Sequence, residues 1–172
     1  MKPDRTPMAV LLLLAAVAAA QMIHYYPVLP ESLAVHFGAS GEPNGWSDKT
    51  DFVLRYGAIE LFIVLLGAAS GLLLRTIPPA LVNIPHRDYW LAPERRQETV
   101  GFLSNQVLWM ETATLAFLIA IAQLVFKENL GGSPPRLSGD FWYILAAFVG
   151  ATVWFSARII LRFRTRELPG QG

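Results

Sequence analysis

Four long apolar runs, Met8 to Tyr26, Phe52 to Leu74, Phe102 to Phe126 and Phe141 to Leu161, constrain this chain more than any other feature. They contain 19, 23, 25 and 21 residues and together take up 88 of the 172. A helix needs about 20 mainly apolar residues to cross a hydrocarbon core of about 30 Å, so each run is long enough to span a membrane. Hydrophobic residues make up 53% of the chain and charged residues 16%, against about 25% charged in an average soluble domain. The breakers lie between the runs: Pro27 and Pro30, then Gly38 to Gly45; Pro78, Pro79, Pro85 and Pro93; Gly131 to Pro135. The expected fold is all-α, a single integral membrane domain over 1–172 with four transmembrane helices and a short extracytoplasmic cap between the first two.

The start of the chain has a second reading. Lys2 and Arg5 precede an apolar stretch that reaches Ala18-Ala19-Ala20, as in a secretory signal peptide. Apolar and aromatic character continues through Met22, Ile23, Tyr25 and Tyr26, which favours an uncut span.

Positive charge sets the expected orientation, because cytoplasmic loops are enriched in Lys and Arg. One side collects Lys2, Arg5, Arg75, Arg87, Arg95, Arg96, Arg158, Arg162, Arg164 and Arg166; the other holds Lys49, Arg55, Lys127 and Arg136. Both termini and the loop from Arg75 to Gly101 are therefore expected in the cytoplasm, and the loop from Pro27 to Asp51 outside. Trp46, Trp90, Trp142, Tyr89 and Tyr143 fall at span ends, where amphipathic rings favour the headgroup layer. A formal net charge of +1 provides no overall basic field for nucleic acid. There is no cysteine, and no phosphate-cradling glycine loop, HExxH helix or nucleophile elbow, so the chain is expected to be non-enzymatic and without a cofactor.

In the outward loop, Pro30 is suited to the first turn of a short helix, with Glu31 at its positive end. Leu33 and Phe37 would then share a face, and Pro43-Asn44-Gly45 reads as a turn. The expected result is a compact cap on the membrane surface. His36 has a side chain that titrates near neutral pH, but a closed metal site needs several further ligands. A structural role for His36 in the cap is favoured over metal binding.

The order Leu29, Pro30, His36, Phe37, Gly41, Pro43, Gly45, Trp46, Lys49 resembles the bacterial membrane family of domain of unknown function 1648. The string on the other side, Asn83, Pro85, Tyr89, Trp90, Arg95 and Arg96, also looks like members of that family. The domain occurs in SdpI-like immunity proteins, which protect bacteria against a secreted toxin and take part in signalling its presence. Those proteins carry further spans beyond the shared domain, so membership is expected ahead of toxin immunity itself. The resemblance implies a bacterial cytoplasmic (inner) membrane location. It also implies a protein partner, as an immunity or signalling component or an accessory subunit of a membrane complex, besides contact with membrane lipid.

Two glutamates inside the spans support a rival reading. At 1.5 Å per residue, Glu60 lies about 12 Å from Phe52 and Glu111 about 13.5 Å from Phe102, so both are expected near the midplane. Gln21 is expected at a similar level. No Lys or Arg shares that depth, and a buried carboxylate without a cation is disfavoured in its charged form. Neutral or proton-sharing glutamates are expected. They either bond helix to helix, with Gln21, Thr112 or Thr114 as partners, or serve a proton- or ion-coupled transporter. On the cytoplasmic side, Pro93 is expected to begin a helix that continues into the third span. Arg95 and Arg96 would project with it as anchors or as ligands for anionic headgroups.

Overall fold

The structure, a computed structural model, describes residues 4–131 and 134–164. Lys2, Arg166 and Ser133 lie outside them. Four helices are long and apolar enough to cross a membrane: α1 (Thr6–Tyr25), α2 (Lys49–Thr76), α4 (Pro93–Leu130) and α5 (Asp140–Arg164). A four-residue helix, α3 (Arg87–Trp90), follows a 3-10 turn at Pro79–Leu81. Strands β1 (Ser32–Phe37) and β2 (Pro43–Asp48) form an antiparallel hairpin between α1 and α2.

Local chemistry explains the helix starts. Pro7 and Pro93 stand in the first turns of α1 and α4, where a missing N–H costs no helical bond. The Asp4 carboxylate accepts from the Thr6 amide at 3.0 Å, and these bonds to Thr6 hold its carboxyl below the usual range. Asp48 caps α2, its carboxylate accepting from the amides of Thr50 at 2.8 Å and Asp51 at 3.3 Å. As expected, α4 runs unbroken from Pro93, and it continues to Leu130. Its 38 residues extend about 57 Å.

Helix α4 is the hub, packing against α1, α2 and α5. Tyr56 on α2 donates to the carbonyl of Leu118. Near the far end of α2, a Cβ on Gly67 would stand 2.6 Å from Leu11 Cδ2 and 2.8 Å from Glu111 Oε2. The two helices are thus antiparallel, and α1 lies in the groove beside them. Three apolar clusters fill the bundle. The hairpin end holds Met22, Leu29, Leu33, Ala122 and Phe126; the middle holds Leu11, Ile63 and Leu115; the opposite end holds Trp90, Leu103 and Phe163. Helix α5 leans on α4 through the Phe117–Phe148 stack and the Phe163 contacts with Trp90 and Phe102. Of its described side chains only Phe163 is buried.

Two expectations about the outward loop need correction. Pro43-Asn44-Gly45 is not a turn: these residues open β2, paired with β1, and the chain reverses at Gly38 to Glu42 instead. The segment after Pro30 is a strand, not a helix, because β2 and the end of α4 supply partners that the local sequence does not contain. Trp90, at the opposite end, is buried against other side chains. It is 6% exposed, with its ring edge-on to Phe163 and its carbonyl accepting from Thr99 Oγ1 at 2.8 Å.

Candidate functional site

The hairpin brings the loop motif together and accounts for most of its members. Leu29 is buried in the apolar cluster under the hairpin. The turn from Gly38 to Glu42 is closed by the Gly38 amide donating to the Glu42 carbonyl at 2.8 Å. Gly41 sits at φ +79°, a conformation that a side chain would strain. Pro43 opens β2 opposite Phe37. His36 pairs with Asn44 Oδ1, and Gly45 lies opposite, where a Cβ would come within 2.8 Å of His36 Cβ. At the base, Lys49 Nζ meets Glu31 Oε1 at 2.7 Å while its amide donates to the Glu31 carbonyl at 3.0 Å.

Other segments lock the hairpin down. Asn129, at the end of α4, donates from Nδ2 to the Ala34 carbonyl at 3.0 Å and accepts at Oδ1 from the Ala34 amide at 2.8 Å. Its side chain thereby occupies the outer edge of β1 like one residue of a third strand. The Leu137 amide donates to the Gly41 carbonyl at 2.8 Å, and Arg136 donates to the Ser40 carbonyl at 3.4 Å. Trp46 stays 56% exposed on β2. Sequence reasoning passed over Asn129, whose only local signal is an Asn at the end of an apolar run.

Inside the bundle the expected polar group does not assemble. Gln21 donates to the Ile119 carbonyl at 3.1 Å and to Gln123 Oε1 at 2.9 Å, and Gln123 donates to the Tyr25 hydroxyl at 2.6 Å. It joins Gln123 and not the glutamates. Glu60 and Gly67 lie on the buried stripe of α2 seven residues apart, about 10 Å along the axis, and Glu111 lies beside Gly67. The two glutamates therefore occupy different levels. Thr112 and Thr114 donate to carbonyls of their own helix, at 2.7 and 2.9 Å, and Thr112 also reaches the Pro7 carbonyl of α1 at 3.5 Å, but neither meets a glutamate. Glu60 Oε1 and Glu111 Oε2 are buried without a hydrogen-bond partner, as are both polar atoms of Gln106. The side chain of Gln106 was a second polar feature that sequence reasoning missed.

At the opposite end, Arg95 lies over the Tyr89 ring, 4.1 Å from its centroid. Arg96 donates to the carbonyls of Arg75 at 3.2 Å and Ile77 at 3.4 Å. Asn83 and Pro85 are exposed on the connecting loop. Arg162 pairs with Glu98 and lies over the rings of Trp90 and Phe102. Among the described residues, no three His, Asp or Glu side chains are grouped to hold a metal ion.

The hairpin lies in the stretch of this chain that matches a family model. Residues 10–55 match the family model of a domain of unknown function, DUF1648. The matched stretch runs from α1 through both strands into the first turns of α2. An uncharacterized protein of Archaeoglobus fulgidus is 26% identical over 136 residues, covering 76% of this chain and 72% of the relative. That similarity extends well beyond the DUF1648 segment. No solved structure matches the chain.

Proposed function

We propose that this chain is a non-enzymatic multi-pass membrane protein that binds a protein partner through its hairpin. The role would be that of an SdpI-like immunity or signalling component, or of an accessory subunit of a larger membrane complex. The observation that carries this reading is one-sided anchoring of the hairpin. Asn129 holds one edge, Lys49 and Glu31 the base, and Arg136 and Leu137 the turn, while β2 displays Trp46. A large aromatic on a pre-ordered scaffold binds with little further loss of entropy, and Trp is enriched among residues that dominate interface energies. The positive-inside bias supports an outward-facing hairpin and cytoplasmic termini, and the resemblance to the bacterial membrane family supports residence in a bacterial cytoplasmic membrane.

The full chain, extracted in mild detergent, should retain a co-purifying membrane protein. Trp46→Ala should lose that partner while keeping its melting temperature. Retention of the same partner by the variant would overturn the reading.

A second reading, a proton- or ion-coupled transporter, draws on the buried unpartnered oxygens of Glu60 and Glu111. Their separation along the bundle weighs against one shared carboxylate site. Proton-driven flux in proteoliposomes that disappears in Glu60→Gln or Glu111→Gln would establish it in place of the first.

A further inference from the structure

The end of the bundle away from the hairpin contains a cleft that the partner-binding reading leaves unused. Its volume is about 370 Å³, and it is lined by Arg75 from α2 and by Pro93, Arg96, Gln97 and Val100 from α4. We propose that this cleft binds the phosphate of an anionic membrane lipid, with Arg75 and Arg96 as its two donors.

The two arginines differ in a way that suits such a ligand. Arg96 is half-buried and fixed by its bonds to the Arg75 and Ile77 carbonyls. Those bonds use one terminal nitrogen of the guanidinium and leave other N–H groups to face the cleft, since a guanidinium has five. Arg75 is exposed and has no ion pair or side-chain hydrogen bond among the described residues. Two arginines from separate helices line one space, and the forked donors of a guanidinium match phosphate oxygens. Pro93 brings the first turn of α4 to the cleft, where Glu94 already answers the positive end of the helix dipole, so an anion there rests on the two arginines. No carboxylate lines the cleft, and Glu98, on the next turn of α4, is engaged by Arg162.

A lipid fits better than free phosphate because of depth. Arg75 follows Leu72, Leu73 and Leu74 at the close of the apolar run of α2, and Leu72 and Leu73 are exposed. A headgroup in the cleft would therefore leave its acyl chains along an apolar flank. Topology alone accounts for arginines at span ends, but it does not require two of them to share a cavity.

The test uses the full chain in a neutral detergent, titrated with phosphatidylglycerol, phosphatidylcholine or inorganic phosphate, with bound species counted by native mass spectrometry. Phosphatidylglycerol should bind more tightly than phosphatidylcholine. Arg75→Gln should weaken it about fivefold, the effect of one basic side chain near an anionic surface. Arg55→Gln, an exposed arginine at the hairpin end, should leave it unchanged. If Arg75→Gln does not fold, Arg75→Lys replaces it and should fall between the wild type and a fivefold loss, since charge remains and the fork does not. Equal binding by the wild type and the Arg75 variant would overturn the proposal, as would an equal loss in Arg55→Gln. Inorganic phosphate binding as strongly as the lipid would overturn the lipid source.

Discussion

Asn129 turns both ends of one amide toward the backbone of Ala34, and its Nδ2 also donates to the Val125 carbonyl at 2.8 Å. Ala34 is fully buried, so removing the amide leaves its N–H and C=O without partners at about 1–3 kcal/mol for each unsatisfied group. Asn129→Ala should lower the melting temperature in detergent, and Asn129→Asp should lower it too, because a carboxylate oxygen would then face the Ala34 and Val125 carbonyls that Nδ2 bonds. The buried glutamates predict the opposite sign. Neither unpartnered oxygen has a hydrogen bond to lose, and an apolar group of similar shape removes a desolvation cost. Glu60→Met and Glu111→Met should therefore leave thermal stability unchanged or raise it. A marked drop in either would mean that the acid holds something through its polar atoms. Gly41 was legible as a breaker because its chemistry is local: it takes a positive φ whatever the rest of the chain does. The turn expected at Pro43-Asn44-Gly45 falls instead at Gly38 to Glu42, because pairing with β1 draws those three residues into β2. Asn129 was not legible, because the strand it serves lies 95 positions earlier.

Ser32–Phe37 shows how an element is decided from outside itself. Leu33 and Phe37 stand four apart, which suits a helix face, yet Leu33, Val35 and Phe37 also alternate with Ala34 and His36 as in a strand. Pro30 and Glu31 tipped the local reading toward a helix start. Pairing with β2 and the edge contact of Asn129 tip the fold toward a strand, since a two-stranded ribbon is only marginally stable without something to pack on. The long helices were legible because about 20 apolar residues in a row admit few alternatives in a membrane. Their partners were not, since lipid-facing and helix-facing residues are both apolar. Helix α5 is the clearest case: its burial rests on Phe163, which meets the rings of Trp90 and Phe102. Phe163→Ala should cost about 3–5 kcal/mol, the usual range for emptying a buried Phe site. It should expose the adjoining end of α5 to protease before the hairpin is affected. Simultaneous cleavage at both ends would show that the two clusters unfold as one unit.

The molecule as a whole is polarised along its long axis. One end carries the hairpin, locked by Arg136 and Leu137 from the connection between α4 and α5. The other carries Arg5, Arg75, Arg87, Arg95, Arg96, Arg162 and Arg164 at the helix ends and in the connecting loop. Four spans in alternating direction return the last helix to the end where the first began, so one measurement fixes the orientation of every loop. The orientation proposed from the positive charge would put the hairpin outside and the cleft between Arg75 and Arg96 against the inner leaflet, where anionic lipids give the surface its negative potential. Because the chain has no cysteine, single-cysteine variants report without background. Ser40 and Gln97 are both exposed, one in the hairpin turn and the other in the first turns of α4. Ser40→Cys should react with a membrane-impermeant maleimide in intact cells, and Gln97→Cys only after permeabilisation. The reverse pattern would turn the bundle over. It would put the hairpin's Trp46 in the cytoplasm and leave an outward-facing arginine cleft, contrary to the charge asymmetry from which the orientation was derived.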